Sequence, residues 1–170
     1  LQAEWQRNGV DAPVVGALYY GPTWLLAPRN AAPDSGLLDD LQAALPALEA
    51  RLKLGGGRRM LLGESMGGLN VLILGLSAPA SFDRIAALCP GVYRDSPFAD
   101  WRTLKAAAVR TGVDPKLALA ILHLAHRHAD DAQSWRRMDP LALIEAADPH
   151  FPALYLSVGL YDRYGNFEGT

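Results

Sequence analysis

The sequence predicts an α/β protein, a three-layer α/β/α sandwich built around a parallel sheet, and three observations predict it. Several short runs are apolar on both faces, as strands buried in parallel sheets are. Between them lie stretches whose apolar residues recur at helical spacing, so strand and helix alternate along the chain. And Met60-Leu61-Leu62-Gly63-Glu64-Ser65-Met66-Gly67-Gly68-Leu69-Asn70-Val71 passes from an apolar strand, through a glycine-flanked serine, into an apolar helix. The expected strands lie near residues 14–20, 59–63, 85–89 and 153–159 of a single domain spanning residues 1–170.

Taken in order, residues 1–8 read as the end of a helix, with Asn8-Gly9 suited to a left-handed cap. Val14-Val15-Gly16-Ala17-Leu18-Tyr19-Tyr20 is the first apolar strand, broken by Gly21-Pro22-Thr23. Asp34 or Ser35 is placed to cap a helix over about residues 36–52. Its Leu37, Leu38, Leu41, Ala44, Leu45 and Leu48 share a face, while Asp39, Asp40, Gln42 and Glu49 take the wetter side. Pro46 predicts a kink or break, and Gly55-Gly56-Gly57 the end. That triplet precedes a strand and is followed by no Gly-Lys-Ser/Thr, so it reads as a flexible connection and not as a phosphate cradle. The helix after Ser65 is apolar nearly all round, which predicts burial against the sheet, and Ala78-Pro79 stops it. Phe82-Asp83-Arg84 leads into the strand Ile85-Ala86-Ala87-Leu88-Cys89, ended by Pro90-Gly91, with Cys89 expected as a buried small hydrophobe.

Residues 93–147 carry helices alone. Ser96-Pro97, Asp114-Pro115 and Asp139-Pro140 each pair a capping residue with a proline at the first helical position, and residues 131–138 read as a shorter helix. So long a helical excursion between strands exceeds one crossover. It suits a lid over a site, or extra helices packed on the sheet without touching ligand. His123, His126 and His128 crowd the second of these helices, but no carboxylate lies at the complementary turn. They are expected as solvated or capping histidines, and neither a metal nor a cofactor is expected. The last strand runs into Leu160-Tyr161-Asp162-Arg163-Tyr164-Gly165.

A formal charge of −2 and a pI near 6.1 give no electrostatic case for nucleic acid or an acidic membrane surface. One cysteine excludes an internal disulfide and a multi-cysteine zinc site. No run is long and apolar enough to span a bilayer, so no membrane partner is expected. The chain opens at Leu1, inside what reads as a helix, and closes at Thr170 just after a strand. The expectation is a piece of a longer protein whose localisation and oligomeric state stay open.

Gly63-Glu64-Ser65-Met66-Gly67 has the G-x-S-x-G pattern in the strand–turn–helix context of a nucleophile elbow. The sharp turn forces the serine into a strained conformation that lifts its hydroxyl clear of the sheet. Gly63 and Gly67 are expected to be glycines because side chains there would collide with the adjoining strand and helix, and Gly68 lets the helix lie close. Ser65 is then the candidate nucleophile, and the first backbone N–H of the helix, that of Met66, the candidate oxyanion donor. Asp162, just past a strand and after the serine in sequence, stands where a triad acid belongs.

Three stretches resemble the esterase D-like or "putative esterase" group of α/β-hydrolases, with its feruloyl and acetyl esterases and mycolyltransferase relatives. They are Gly63-Glu64-Ser65-Met66-Gly67-Gly68, then Phe82-Asp83-Arg84-Ile85-Ala86-Ala87-Leu88-Cys89-Pro90, then Ser157-Val158-Gly159-Leu160-Tyr161-Asp162. The segment from Tyr20 to Leu26 is similar to the end of the family's preceding strand. The resemblance implies an incomplete α/β-hydrolase core and an ester hydrolase acting on a small-molecule ester through an acyl-Ser65 intermediate. It also implies a catalytic histidine after the acid, and none follows Asp162 here. The loop giving the second oxyanion N–H belongs upstream of Leu1 or, if residues 14–20 are the earlier strand, at Gly21. An acyltransferase and a non-catalytic binding module of the same fold are the competing readings.

Overall fold

In the computed structural model, which describes residues 2–9, 16–17, 25–33, 35–54, 57–147, 151–162, 164 and 168, the organising unit is a three-stranded sheet. Its strands are β1 (Met60–Glu64), β2 (Arg84–Leu88) and β3 (Ala153–Ser157), side by side in that order and all parallel. The register runs from Met60 beside Arg84 beside Ala153 to Glu64 beside Leu88 beside Ser157. Three expected strands are therefore present within a residue or two of their predicted bounds. The strand expected near residues 14–20 lies, apart from Gly16 and Ala17, outside the described residues.

Helices α1 (Gln2–Arg7) and α2 (Leu37–Arg51) precede the sheet, and α3 (Met66–Ser77) joins β1 to β2. Between β2 and β3 come α4 (Trp101–Thr111), α5 (Pro115–His128), α6 (Ala132–Arg136) and α7 (Pro140–Ala146). Because side chains alternate along a strand, one sheet face carries Leu61, Ile85 and Ala87; the last two are 1% and 0% exposed, and Ile85 and Leu61 reach up to Gly75 of α3. The all-round apolar α3 is buried through Leu69, Leu72, Ile73, Leu74 and Leu76. It joins Leu25 and Ala27, Leu38 and Leu41 of α2, Ala125 of α5, Trp135 of α6 and Met138 in one core. The opposite sheet face carries Met60, Leu62 and Tyr155, all exposed by half or more. Of the three expected layers, the described residues supply two.

Local chemistry explains where the elements depart from expectation. Ser35 does not cap α2: its Oγ accepts from Ala31 and Ala32 N–H, and Gly36 takes the cap position at φ 128°. The Ala27 carbonyl instead accepts from the N–H groups of Gly36 and Leu38. Asp34 lies outside the described residues. Pro46 does not break α2, which runs unbroken from Leu37 to Arg51, and the proline is exposed. The helix stops before the glycine triplet, at Lys53, whose φ is 56°. Ser96-Pro97 opens only a turn, in which Ser96 Oγ accepts from Phe98 N–H, and Asp100 caps α4. The Asp100 carboxylate accepts from Arg102 N–H, Thr103 N–H and the Thr103 hydroxyl, a charge-assisted set that a neutral serine cannot match. Asp114 and Asp139 cap α5 and α7 with proline at the first helical position, as predicted, while α6 is shorter than the expected 131–138, with Asp131 as its cap. Gly9 takes the left-handed φ of 71° expected after α1.

Candidate active site

Ser65 lies between the last residue of β1 and the first of α3, at φ 55° and ψ −118°. Two backbone bonds fix it there: its N–H donates to Leu88 O at 2.8 Å, across the end of β2, and its carbonyl accepts from Leu69 N–H at 3.1 Å. A non-glycine residue at positive φ stores of order 1–3 kcal/mol of strain. The side chain is left exposed at the carboxyl end of the sheet, where open α/β sheets bind ligands. Met66, the first residue of α3, has an N–H with no partner inside the helix by construction.

Of the flanking glycines, only one carries the space requirement. A Cβ on Gly63 would stand 2.1 Å from Gly67 O and 2.4 Å from its carbonyl carbon. At Gly67 the same addition meets nothing within 4 Å, so the collision expected there does not occur. The turn is tight because the Gly67 carbonyl occupies the place of a Gly63 side chain. Gly68 is close-packed as expected, its Cβ position 3.0 Å from Pro90 Cα.

Ser65 and Met66 border a cavity of about 310 Å³ whose other walls come chiefly from the helical excursion. From α4 come Leu104, Ala107, Ala108 and Thr111; from α5, Leu117, Ile121, Leu124 and Ala125. The α4 set recurs at three and four residues and so shares one face, whereas α5 also contributes Ala118, Ala120 and Leu122. Leu25 and Trp135 add to the walls, and Leu25 is held where it is because the next residue's N–H donates to Asn70 Oδ1 of α3 at 2.9 Å. Tyr93, past the end of β2, also lines the cavity. Burial, and then the negative charge of Asp162, hold its phenol well above the ordinary tyrosine range. Asp162 itself lies five residues beyond β3, in a turn closed by its N–H donating to Gly159 O at 3.0 Å. The parallel sheet delivers both that turn and Ser65 from its carboxyl end.

Charge gathers at one part of the cavity. Arg110 of α4 donates to Asp95 at 2.5 Å and from two nitrogens to Glu168, at 2.7 and 2.8 Å. Glu168 first, then Asp95, raise the guanidinium's pKa, and Arg110 in turn lowers that of Glu168. Asp95, Glu168 and Arg94 line the cavity.

One of the three histidines departs from expectation. His128 is 6% exposed, so it is a core residue and not a solvated one. His126 is exposed, as expected, with its Nε2 3.2 Å from Pro97 O and its ring centroid 4.1 Å from that of Phe98. His123 is exposed. Cys89 is half-buried, not buried, and takes φ 45° while its N–H donates to Ser157 O at 2.6 Å. Gly21 and His150 lie outside the described residues. Asn70, Leu25 and Tyr93 were not legible as site residues, because only the folded packing of α3 against residues 25–27 and the end of β2 brings them to Ser65.

A parallel α/β sheet that presents an exposed, strained serine beside an apolar cavity at its carboxyl end is the architecture of the α/β-hydrolase class. Residues 35–167 match the family described as "Putative esterase". The chain belongs to that family and is a hydrolase of the esterase kind, with small-molecule esters as substrates. No curated protein matches it.

Proposed function

We propose that the protein is a serine carboxylic-ester hydrolase working through an acyl-Ser65 intermediate. The observation that carries this reading is the strained, exposed Ser65 at the start of α3, on the wall of an apolar cavity. Ser65 Oγ attacks the ester carbonyl carbon as an imidazole takes its proton. The new oxyanion sits at the Met66 N–H, the carbon–alkoxy bond breaks, and the alcohol leaves with that proton. Water repeats the sequence on the acyl-enzyme and frees Ser65. Asp162 is the acid that orients the imidazole, a role favoured by its place at the carboxyl end of the sheet, near the Tyr93 that lines the cavity.

None of the described histidines lines the cavity, and no histidine follows Asp162. We therefore assign the imidazole to a residue outside the described ones. Residues 93–147 act as a lid, as α4 and α5 form most of the cavity wall.

The test compares this chain with the protein expressed from its whole reading frame, each beside Ser65→Ala, on short-chain p-nitrophenyl esters and with a fluorophosphonate probe. The longer protein should show Ser65-dependent turnover, with this chain alone slower by several orders of magnitude. Fast Ser65-dependent turnover from this chain would place a base inside it. No Ser65-dependent turnover from either would favour the non-catalytic module.

A further inference from the structure

We propose that the cavity beside Ser65 is an acyl-chain site matched to a straight saturated acyl group of about eight carbons. This names the substrate class for the Ser65 reading above and rests on it. Two helical walls set that length. The α5 residues on its wall run from Leu117 to Ala125, eight positions and so roughly 12 Å of helix. Those of α4 run from Leu104 to Thr111, roughly 10 Å. An extended chain advances roughly 1.3 Å per carbon, given carbon–carbon bonds of about 1.5 Å, so these walls flank eight or nine carbons.

The chemistry of the walls agrees with the length. Thr111 is the one polar residue that α4 and α5 contribute to the wall. Their charged residues, such as Lys105, Lys116 and Arg127, do not line it. Two of the three charged residues that do, Asp95 and Glu168, are bonded to Arg110. An acetyl group would leave most of this apolar surface wet, while an alkyl chain covers it. Since Ser65 and Met66 form part of the same wall, a chain laid along α5 can place its carbonyl at the serine.

The test uses 2-alkanones, which carry an uncharged carbonyl and an alkyl chain and have no leaving group. Each member from 2-butanone to 2-tridecanone is titrated calorimetrically into this chain and into Ser65→Ala. Kd should fall about fourfold per added methylene, then level off near 2-nonanone, in both proteins. Ala108→Phe should move that plateau about three carbons shorter, and Leu117→Ala one or two carbons longer. If Ala108→Phe fails to fold, Leu117→Ala decides alone, and an unmoved plateau overturns the proposal. A flat series overturns it too, as does tightening that continues through 2-tridecanone, or 4-phenyl-2-butanone binding tighter than 2-decanone. A flat series with intact fluorophosphonate labelling of the longer protein would sink the acyl site and leave the nucleophile standing. A length-dependent series with no Ser65-dependent labelling of the longer protein would do the reverse.

Discussion

Replacing Gly63 by alanine sets backbone against backbone. The added methyl would lie 2.1 Å from Gly67 O, 2.4 Å from Gly67 C and 2.8 Å from Gly68 N. No rotamer can relieve that contact, so the start of α3 must move about 1 Å away from β1 to restore van der Waals separation. Overpacking of this kind costs about 3 kcal/mol. With a urea dependence of about 2 kcal/mol per molar, the unfolding midpoint followed by circular dichroism should fall by about 1.5 M. The displaced segment is the one holding Ser65 and Met66, and a misplacement of about 1 Å should slow fluorophosphonate labelling roughly a hundredfold. Gly67→Ala is the control. It meets no atom within 4 Å and sits in a helix, so it should be neutral or stabilising by up to about 1 kcal/mol. A Gly63→Ala midpoint within about 0.25 M of the parent, with undiminished labelling, would refute the account of the turn.

Ser65→Gly should be more stable than Ser65→Ala by about 1 kcal/mol in urea melts, because only glycine releases the positive-φ strain. Asn70→Ala removes the acceptor for Leu26 N–H and should cost about 2 kcal/mol in the same assay. Burial raises the Asp139 carboxyl above its ordinary range. With the folded pKa above the unfolded one, the ionised group destabilises the fold at neutral pH, and that penalty disappears as pH falls below the unfolded value of about 4. Asp139→Asn keeps a cap for Leu141 N–H, so it should raise Tm by a few degrees at pH 7 and lose that advantage below about pH 4.

The sequence was most informative where local chemistry leaves a single solution. The bounds of α3 matched because a glycine-flanked serine starts it and Ala78-Pro79 ends it. The three described strands matched because short runs apolar on both faces fit little besides a parallel sheet. Caps were harder to read where several groups compete. Ser35 lost to a carbonyl brought in from Ala27, and Ser96 to a carboxylate four residues on. The two glycines of G-x-S-x-G look equivalent in sequence, yet only Gly63 faces another backbone segment. His128 looked like a polar residue at a helix end, but it lies on the side of α5 that enters the core beside Ala125. The cavity was the least legible feature, since the faces of α4 and α5 that border Ser65 depend on tertiary packing.

The Arg110 cluster joins three parts of the chain that the sequence keeps far apart. One guanidinium on α4 grips Asp95 at the root of the helical excursion and Glu168, six positions along from Asp162. An outward swing of α4 must therefore either break these ionic contacts or pull Glu168 with it. The α4 wall of the cavity and Glu168 thus share one mechanical fastening. Because Arg110 is 40% exposed, dissolved salt can loosen it.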